Sequence, residues 1–434
     1  MFGLKYICSA CHIFMELCTI RSMSNLFIKI ERPAFGGVFI GRHEGKVVMV
    51  RGAVLPGEMV EVSVDEDKKD YFTASVVKIL EPSPERIEPP CEYYGICGGC
   101  SLQHVPYHLQ VRIKEEILRD SLRRVAKIEM EHAESIVNED PWNYRLRAQY
   151  KVSEEGLGLH KKGTREVVKI DRCMLMSDKI NEYVLGAHSI LRGVKAKEFH
   201  ITGSDELVGR LITKKSALSK GESRKLGKKL MDAGLSGLVI ERGREEPICF
   251  GNAYVSLDLS GCKYTLSPMS FVQSNWRLNQ KVVNIIREVL GPLKGKRILD
   301  LYSGAGNFSL MLAPEAEVVA VEGNQHAIND GERNLEINGI DNYRFECSSS
   351  EKFKLKEEYD VIILDPPRPG VRYRLIKKIL ALGPGTILYI SCNPSTFARD
   401  LKRLSEKYDI ESIRMIDFFP QTYHIEAMAL LKLS

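Results

Sequence analysis

The run Arg297-Ile-Leu-Asp300-Leu-Tyr302-Ser-Gly304-Ala-Gly306-Asn307-Phe308 leaves the chain around it few folds to adopt. A strand-length apolar stretch ends in two glycines within three residues. That composition lets the backbone turn sharply and approach a ligand as the next helix begins. Further apolar runs follow at 318–322, 361–364 and 386–391, separated by helical stretches. Strands alternating with helices from about residue 278 predict an α/β, doubly wound, Rossmann-like sheet, whose ligands sit beyond the carboxyl ends of the strands. A nicotinamide fingerprint requires a third glycine three positions after the second. Here that position is Ser309, and the next strand ends in Glu322, an acid able to hold both ribose hydroxyls. The order Asp300, Gly304-x-Gly306, Glu322 predicts an S-adenosylmethionine site.

Three segments lie just after predicted strands of that sheet: Leu364-Asp365-Pro-Pro-Arg-Pro-Gly370, Ser391-Cys392-Asn-Pro394, and Asp417 to Glu426, which contains Phe419-Pro-Gln-Thr422. A cysteine at a strand end, ahead of Asn-Pro, is a candidate nucleophile; standing alone it reads equally as a small core residue. Carbon-5 of uracil is a poor nucleophile until a thiolate adds to carbon-6 and converts the ring to an enolate. A base must then remove the carbon-5 hydrogen, a task for which Glu426 is placed, and Asp365 is suited to hold the uracil edge. His424 reads as a structural hydrogen-bonding residue.

Upstream, residues 25–80 carry short alternating runs (27–30, 47–50, 59–64, 72–79) broken by Gly36-Gly37, Glu44-Gly45, Pro56-Gly57 and the charged stretch 65–70. They predict a small β-barrel of the oligonucleotide-binding kind. A proline-rich linker leads to Cys91, Cys97 and Cys100, three thiols on one loop. Clustered cysteines in a chain without secretory features argue for metal before disulfide. Cys173 is the best fourth ligand, and four thiolates suit zinc or an iron–sulfur cluster alike. A helix is predicted over 106–125, with Leu109, Ile113, Ile117, Leu122 and Val125 inward and Arg112, Lys114, Arg119 and Arg123 around them. Between 210 and 229 eight cations face only Glu222, which reads as a solvated helix or an RNA contact. The formal net charge of +5 permits RNA binding without requiring it, and no apolar run reaches the roughly 18 residues of a membrane helix. Residues 1–23, with Cys8, Cys11 and Cys18, read as a disordered extension.

Together these motifs resemble the RNA uridine carbon-5 methyltransferase family: Phe271-Val-Gln273-Ser-Asn275, the glycine turn, Glu322, Asp365 to Gly370, Ser391 to Pro394 and Phe419 to Glu426. The resemblance implies that Gln273, Tyr302, Gly304, Asn307, Glu322 and Asp365, with Ser349, line the cofactor site, that Cys392 is the nucleophile and that Glu426 is the base. The start of the chain, with Gly36-Gly37 and Leu55-Pro-Gly-Glu58, is similar to the TRAM module. One subgroup of the family carries a [4Fe–4S] cluster on the spacing of Cys91, Cys97, Cys100 and a distant cysteine, here Cys173. The implied organisation is an OB-like TRAM domain over 24–82, a central α+β domain with the four-cysteine cluster over 83–270, and the methyltransferase domain over 271–434, with helix 106–125 free to pack on the last. The expected protein is a cytoplasmic monomer without an obligate protein partner. Its substrate would be 23S ribosomal RNA, favoured over the transfer RNA T-loop, with the target uridine flipped out and Phe271 or Phe419 packing against it.

Competing readings fit less of the chain. A radical methylthiotransferase also joins a TRAM module to a cluster, but needs three residues, not five, in the first cysteine gap. A DNA cytosine methyltransferase places proline before its cysteine, not after. A non-catalytic RNA binder has no use for Cys392, Asp365 and Glu426 together.

Overall fold

The computed structural model describes residues 25–130, 134–214, 217–355 and 357–434. The extension expected over 1–23 and Lys215 of the basic stretch lie outside them. The chain divides into two compact units, one ending at Arg86 and one spanning Ile87–Ser434.

In the first unit six strands form one sheet, in the spatial order Leu26–Lys29, Met59–Asp67, Tyr71–Glu81, Lys46–Arg51, Val38–His43, Arg32–Ala34. Val60, Val62 and Val64 alternate with partly exposed Glu61 and Ser63, so the strand turns one face to a core of Ile28, Phe39, Val48 and Val50. Two strands flanking Gly36-Gly37 escaped the sequence reading, and the strand Met59–Asp67 runs into the charged stretch read there as a turn. Glu58 is fully buried and closes the unit, accepting from both Nε and Nη2 of Arg86 at 2.8 Å and from the amides of Leu55 and Ser83. Burial pushes its carboxyl up, but these donors outweigh that and hold it below the ordinary range.

The second unit contains two large sheets. The seven-stranded one orders Val167–Lys169, Gly156–His160, Arg147–Ser153, Ala196–Gly203, Leu207–Thr213, Gly237–Arg242 and Ile248–Gly251. Its apolar face, with Tyr150, Phe199, Ile201, Leu211 and Leu238, packs under the helices Asp178–Leu191 and Lys220–Asp232.

The eight-stranded sheet orders Tyr343–Cys347, Glu317–Glu322, Arg297–Leu301, Val361–Leu364, Thr386–Ser391, Glu426–Leu433, Tyr408–Ile416 and Glu134–Ile136. The first five are parallel, and Glu426–Leu433 enters antiparallel. The parallel strands read as unbroken apolar runs because both faces are covered, with Val318 to Val321 and Ile362 to Leu364 fully buried. Strand order reverses between Arg297–Leu301 and Val361–Leu364, where a doubly wound sheet opens its ligand cleft. Glu134–Ile136 joins this sheet alongside Arg414–Ile416, although it precedes the whole seven-stranded sheet in sequence. Among the described residues no helix is long and apolar enough to cross a membrane.

The helix Tyr107–Ser121 buries Gln110, Ile113, Lys114, Ile117, Leu118 and Ser121, a regular one-sided stripe. Lys114, which periodicity alone groups with the surface cations, is fully buried. Its Nζ donates to Asp417 at 2.6 Å and to the Phe419 carbonyl at 3.0 Å. Burial drives the ammonium pKa down and Asp417 opposes that shift. Local periodicity could not reveal this, because the partner lies 303 residues away. Removing one member of such a pair leaves a buried charge without compensation. Lys114→Met should cost about 3–5 kcal/mol in urea denaturation, and adding Asp417→Leu should recover most of it.

Candidate active site

Gln273, Tyr302, Gly304, Asn307, Glu322 and Asp365 line one cleft at the carboxyl ends of the strands, with Phe271, Phe308 and Asn324. The glycine turn explains itself locally. Tyr302, Gly304 and Gly306 all have positive φ, and a Cβ on Gly306 would lie 2.8 Å from the Tyr343 hydroxyl. Buried Asp300 accepts from Ser309 Oγ at 2.5 Å and ties the turn to the first strand; burial, then the Asp365 and Glu322 charges, push it up to about 7 against the Ser309 bond. Glu322 accepts from the amides of Gly304 at 2.9 Å and Asn324 at 2.7 Å, which fixes its carboxylate at the cleft edge. Asn307 and Asn279 exchange two hydrogen bonds, at 2.8 and 3.0 Å. Gln273 Oε1 is buried without a partner. An orphaned acceptor, an acid at the ribose-binding strand end and an apolar wall together fit an adenosyl group with an amino-acid tail.

Ser349 does not line this cleft. The strand Tyr343–Cys347 has ended, Ser349 is exposed, and it uses its carbonyl to start the next turn at Lys352 and Phe353. Its neighbour Ser350 is the buried one, and its Oγ accepts from the Tyr302 amide at 3.1 Å.

Cys392, Glu426 and Asp365 meet at the end of the same cleft. Ser391 pairs with Ala427 across antiparallel strands, so Cys392 and Glu426 stand opposite each other at the strand ends. Leu364 pairs with Tyr389 in parallel, which brings Asp365 alongside. Asn393 caps the following helix through the amides of Ser395 and Thr396, Pro394 takes the first helical turn, and Asn393 Nδ2 holds the Arg368 carbonyl at 3.2 Å. The Asn-Pro pair therefore sets the angle at which Cys392 leaves the sheet. Gly370 turns with φ of +75° against Asp400, whose carboxylate accepts from the Val371 amide and the Tyr389 hydroxyl.

The three groups share a desolvated site short of positive charge. Burial raises Cys392 to about 11, with Glu426 and Asp365 adding and Arg368 opposing. Burial also raises Asp365 to about 7 and, with the Asp365 charge, Glu426 to about 8. His424 is pushed down to about 4 by burial and by Arg368, Lys114 and Arg145, so it is neutral and structural.

The loop carrying Glu426 into place is held from two sides that sequence reasoning missed. Gln110 and Gln421 bond side chain to side chain at 2.9 Å, and the Gln421 amide returns to Gln110 Oε1 at 2.9 Å. The amides of Ser101 and Leu102, beside Cys100, both donate to the Gln421 carbonyl, and Ser101 Oγ accepts from Tyr423. Gln421 sits at φ of +67°, a conformation that glutamine adopts only when held. No signal in the sequence marked Gln110, because the predicted inward stripe ran through Leu109 and Ile113 instead.

Cys91, Cys97, Cys100 and Cys173 line one cavity with Arg145 in its wall. Burial is the main cause of the raised pKa values of Cys97, Cys100 (about 12) and Cys173, and neighbouring cysteines add to each. Among the described residues no three His, Cys, Asp or Glu side chains converge as a single ion requires.

The sequence model of tRNA (uracil-5-)-methyltransferases matches residues 106–434, and that of the TRAM domain matches 24–77. An uncharacterized RNA methyltransferase of Aquifex aeolicus is 35% identical over 94% of this chain and 98% of its own. The 23S rRNA (uracil(1939)-C(5))-methyltransferase RlmD of Shewanella amazonensis is 34% identical over 94% and 95%. Among solved structures, the Pyrococcus abyssi tRNA (uracil-54, C5)-methyltransferase in complex with S-adenosyl-L-homocysteine matches with a TM-score of 0.74, at 27% identity over 93% of this chain and 99% of that one.

The raised carboxyl of Glu426 has a sign that can be tested. Its pKa moves from 4.5 unfolded to about 8 folded, so its contribution to stability is complete below 4.5 and is lost as pH rises to about 8. Glu426→Gln without cofactor should therefore be more stable than the unaltered chain in urea denaturation at pH 8, by up to about 4 kcal/mol, and show little gain at pH 4.

Proposed function

The chain belongs to the tRNA (uracil-5-)-methyltransferase family, and from that premise we propose that it methylates carbon-5 of a uridine in 23S ribosomal RNA through a covalent adduct on Cys392. The observation that carries the mechanism is the register of Ser391 with Ala427, which sets Cys392 against Glu426 at the mouth of the cleft.

S-adenosylmethionine supplies the methyl group and, through its sulfonium, positive charge beside a site rich in carboxyl groups. Gln273, Tyr302, Asn307 and Glu322 bind it. The Cys392 thiol gives its proton to the neighbouring Asp365 carboxylate as its sulfur adds to carbon-6 of a flipped uracil, and the negative charge moves onto the carbonyl edge. Asp365, whose protonated form burial favours, donates a hydrogen bond there. Carbon-5 would take the methyl group as the sulfur–methyl bond of the co-substrate breaks, with S-adenosylhomocysteine as the leaving group. Glu426, whose carboxylate form the cationic sulfonium would favour against its burial, then removes the carbon-5 proton; the electron pair rebuilds the carbon-5–carbon-6 double bond and expels the sulfur of Cys392.

Cys91, Cys97, Cys100 and Cys173 are proposed to hold a [4Fe–4S] cluster. An all-sulfur donor set around a cavity, rather than around one point, suits a cluster better than zinc, whose thiolates crowd at about 2.3 Å from a single ion. The role is to hold the loop 97–102 that grips Gln421. The 23S substrate rests on relatives of about one-third identity over nearly the full chain; the chain would act on it in the cytoplasm, as a monomer.

RNA carrying 5-fluorouridine at the target cannot release the carbon-5 substituent, so it should form a denaturation-stable adduct that Cys392→Ser abolishes. Undiminished methylation by Cys392→Ser would refute the mechanism. Methylation mapping of total RNA from a deletion strain should lose one 5-methyluridine in 23S RNA; loss from the transfer RNA T-loop instead would reassign the substrate. Cys91→Ala should lose the cluster's visible absorbance and fall in thermal stability; an unchanged melting temperature would refute a structural role.

A further inference from the structure

A second cavity, of about 530 Å³, adjoins the cofactor cleft and shares Phe271 and Val272 with it. Arg145, Arg147, Gln149, His160, Lys161 and Thr164 line it, and no Asp or Glu does. It opens on the seven-stranded sheet, on the face opposite the apolar core. Strand alternation puts Arg147 and Gln149 on this face, and the register sets them against Thr202 and His200, with Arg210 beyond His200.

The cations of this surface are accounted for with one exception. Lys151 and His200 bond Glu198, Arg210 bonds Glu241, and Lys161 bonds Glu166. Arg145 stands against the cysteine cavity and over the rings of Tyr144 and Phe419. Arg147 has no carboxylate partner among the described residues. Its Nη1 donates to the Ser270 carbonyl at 2.6 Å, and its Nε is buried with no partner. Burial and the charge of Arg210 push its pKa down to about 10, which still leaves it protonated at neutral pH. A largely desolvated guanidinium without an anion is costly unless something supplies the anion on binding. The guanidinium fork matches phosphate oxygens, and exposed Phe271 offers a ring face at the boundary of the two cavities.

We infer that this cavity is a nucleotide subsite in which Arg147 takes a backbone phosphate of the RNA strand flanking the target uridine. The inference rests on the methyltransferase reading for the identity of the strand, but not for the phosphate contact. It assigns Arg147 to affinity and register rather than to chemistry, since phosphate contacts position a strand without reading its sequence.

The test uses the full chain with a short fluorescein-labelled oligouridylate, titrated between about 50 and 200 mM salt. Arg147→Met should weaken binding about ten-fold at the low end and reduce the slope of log K against log salt by about 0.7, one single-strand phosphate contact. Arg147→Lys should keep most of the slope, and the Kd for S-adenosylhomocysteine should stay unchanged in both. An Arg147→Met chain that binds S-adenosylhomocysteine normally and keeps the full slope overturns the inference. Should that variant not fold, Gln149→Glu places a carboxylate on the exposed neighbour. It should weaken oligouridylate binding in the same way, and unaltered binding by Gln149→Glu equally overturns the inference. Loss of slope in Arg147→Met, together with no 5-fluorouridine adduct from the unaltered chain, would refute the methylation mechanism and leave the subsite standing.

Discussion

The antiparallel entry of Glu426–Leu433 beside Thr386–Ser391 is the constraint on which the site depends. A sheet of parallel strands alone brings ligand-binding loops together at one edge. An antiparallel neighbour adds a strand beginning at that edge, so a residue at its start can face a residue at its partner's end. Cys392 and Glu426 stand in that relation, and a slip of one residue would turn one of them into the core. The register holds because the loop before Glu426 cannot move: Lys114, Gln110, Ser101 and Leu102 grip it from a helix and from the cysteine loop.

That grip gives the cysteine cavity a mechanical meaning. The residues after Cys100 bond the backbone at Gln421, five positions before Glu426. The ordering of the three-cysteine loop and the placement of the proposed base are thus one structural fact, although the thiols line a cavity of their own.

Much of this was legible in the sequence. The glycine turn, Glu322 and the three strand-end segments point to their sites because each obeys a local rule: a sharp turn, a helix cap, a strand end. Gln273 to Asp365 gather in one cleft as the motifs imply, and the four cysteines share one cavity. What stayed hidden depends on partners far along the chain. Lys114 looks like any surface lysine until Asp417 is packed against it, and Gln110 and Ser101 carry no motif. Of the two strands missed around Gly36-Gly37, Arg32–Ala34 has only three residues, and Val38–His43 buries Phe39, Ile40 and Gly41 in succession and so does not alternate. Ser349, which the resemblance implies, is exposed and stands outside the lining of the cleft.

The distance between Lys114 and Asp417 along the chain has a consequence for biosynthesis. A nascent polypeptide leaves the ribosome amino end first, and the unit ending at Arg86 finds its buried glutamate's partners, Leu55, Ser83 and Arg86, within its own length. The helix Tyr107–Ser121 must wait, its ammonium solvated, while some three hundred residues follow. The second unit is therefore sealed by residues 417–426, and translation stopped short of them yields a product with neither an anchored helix nor the proposed base.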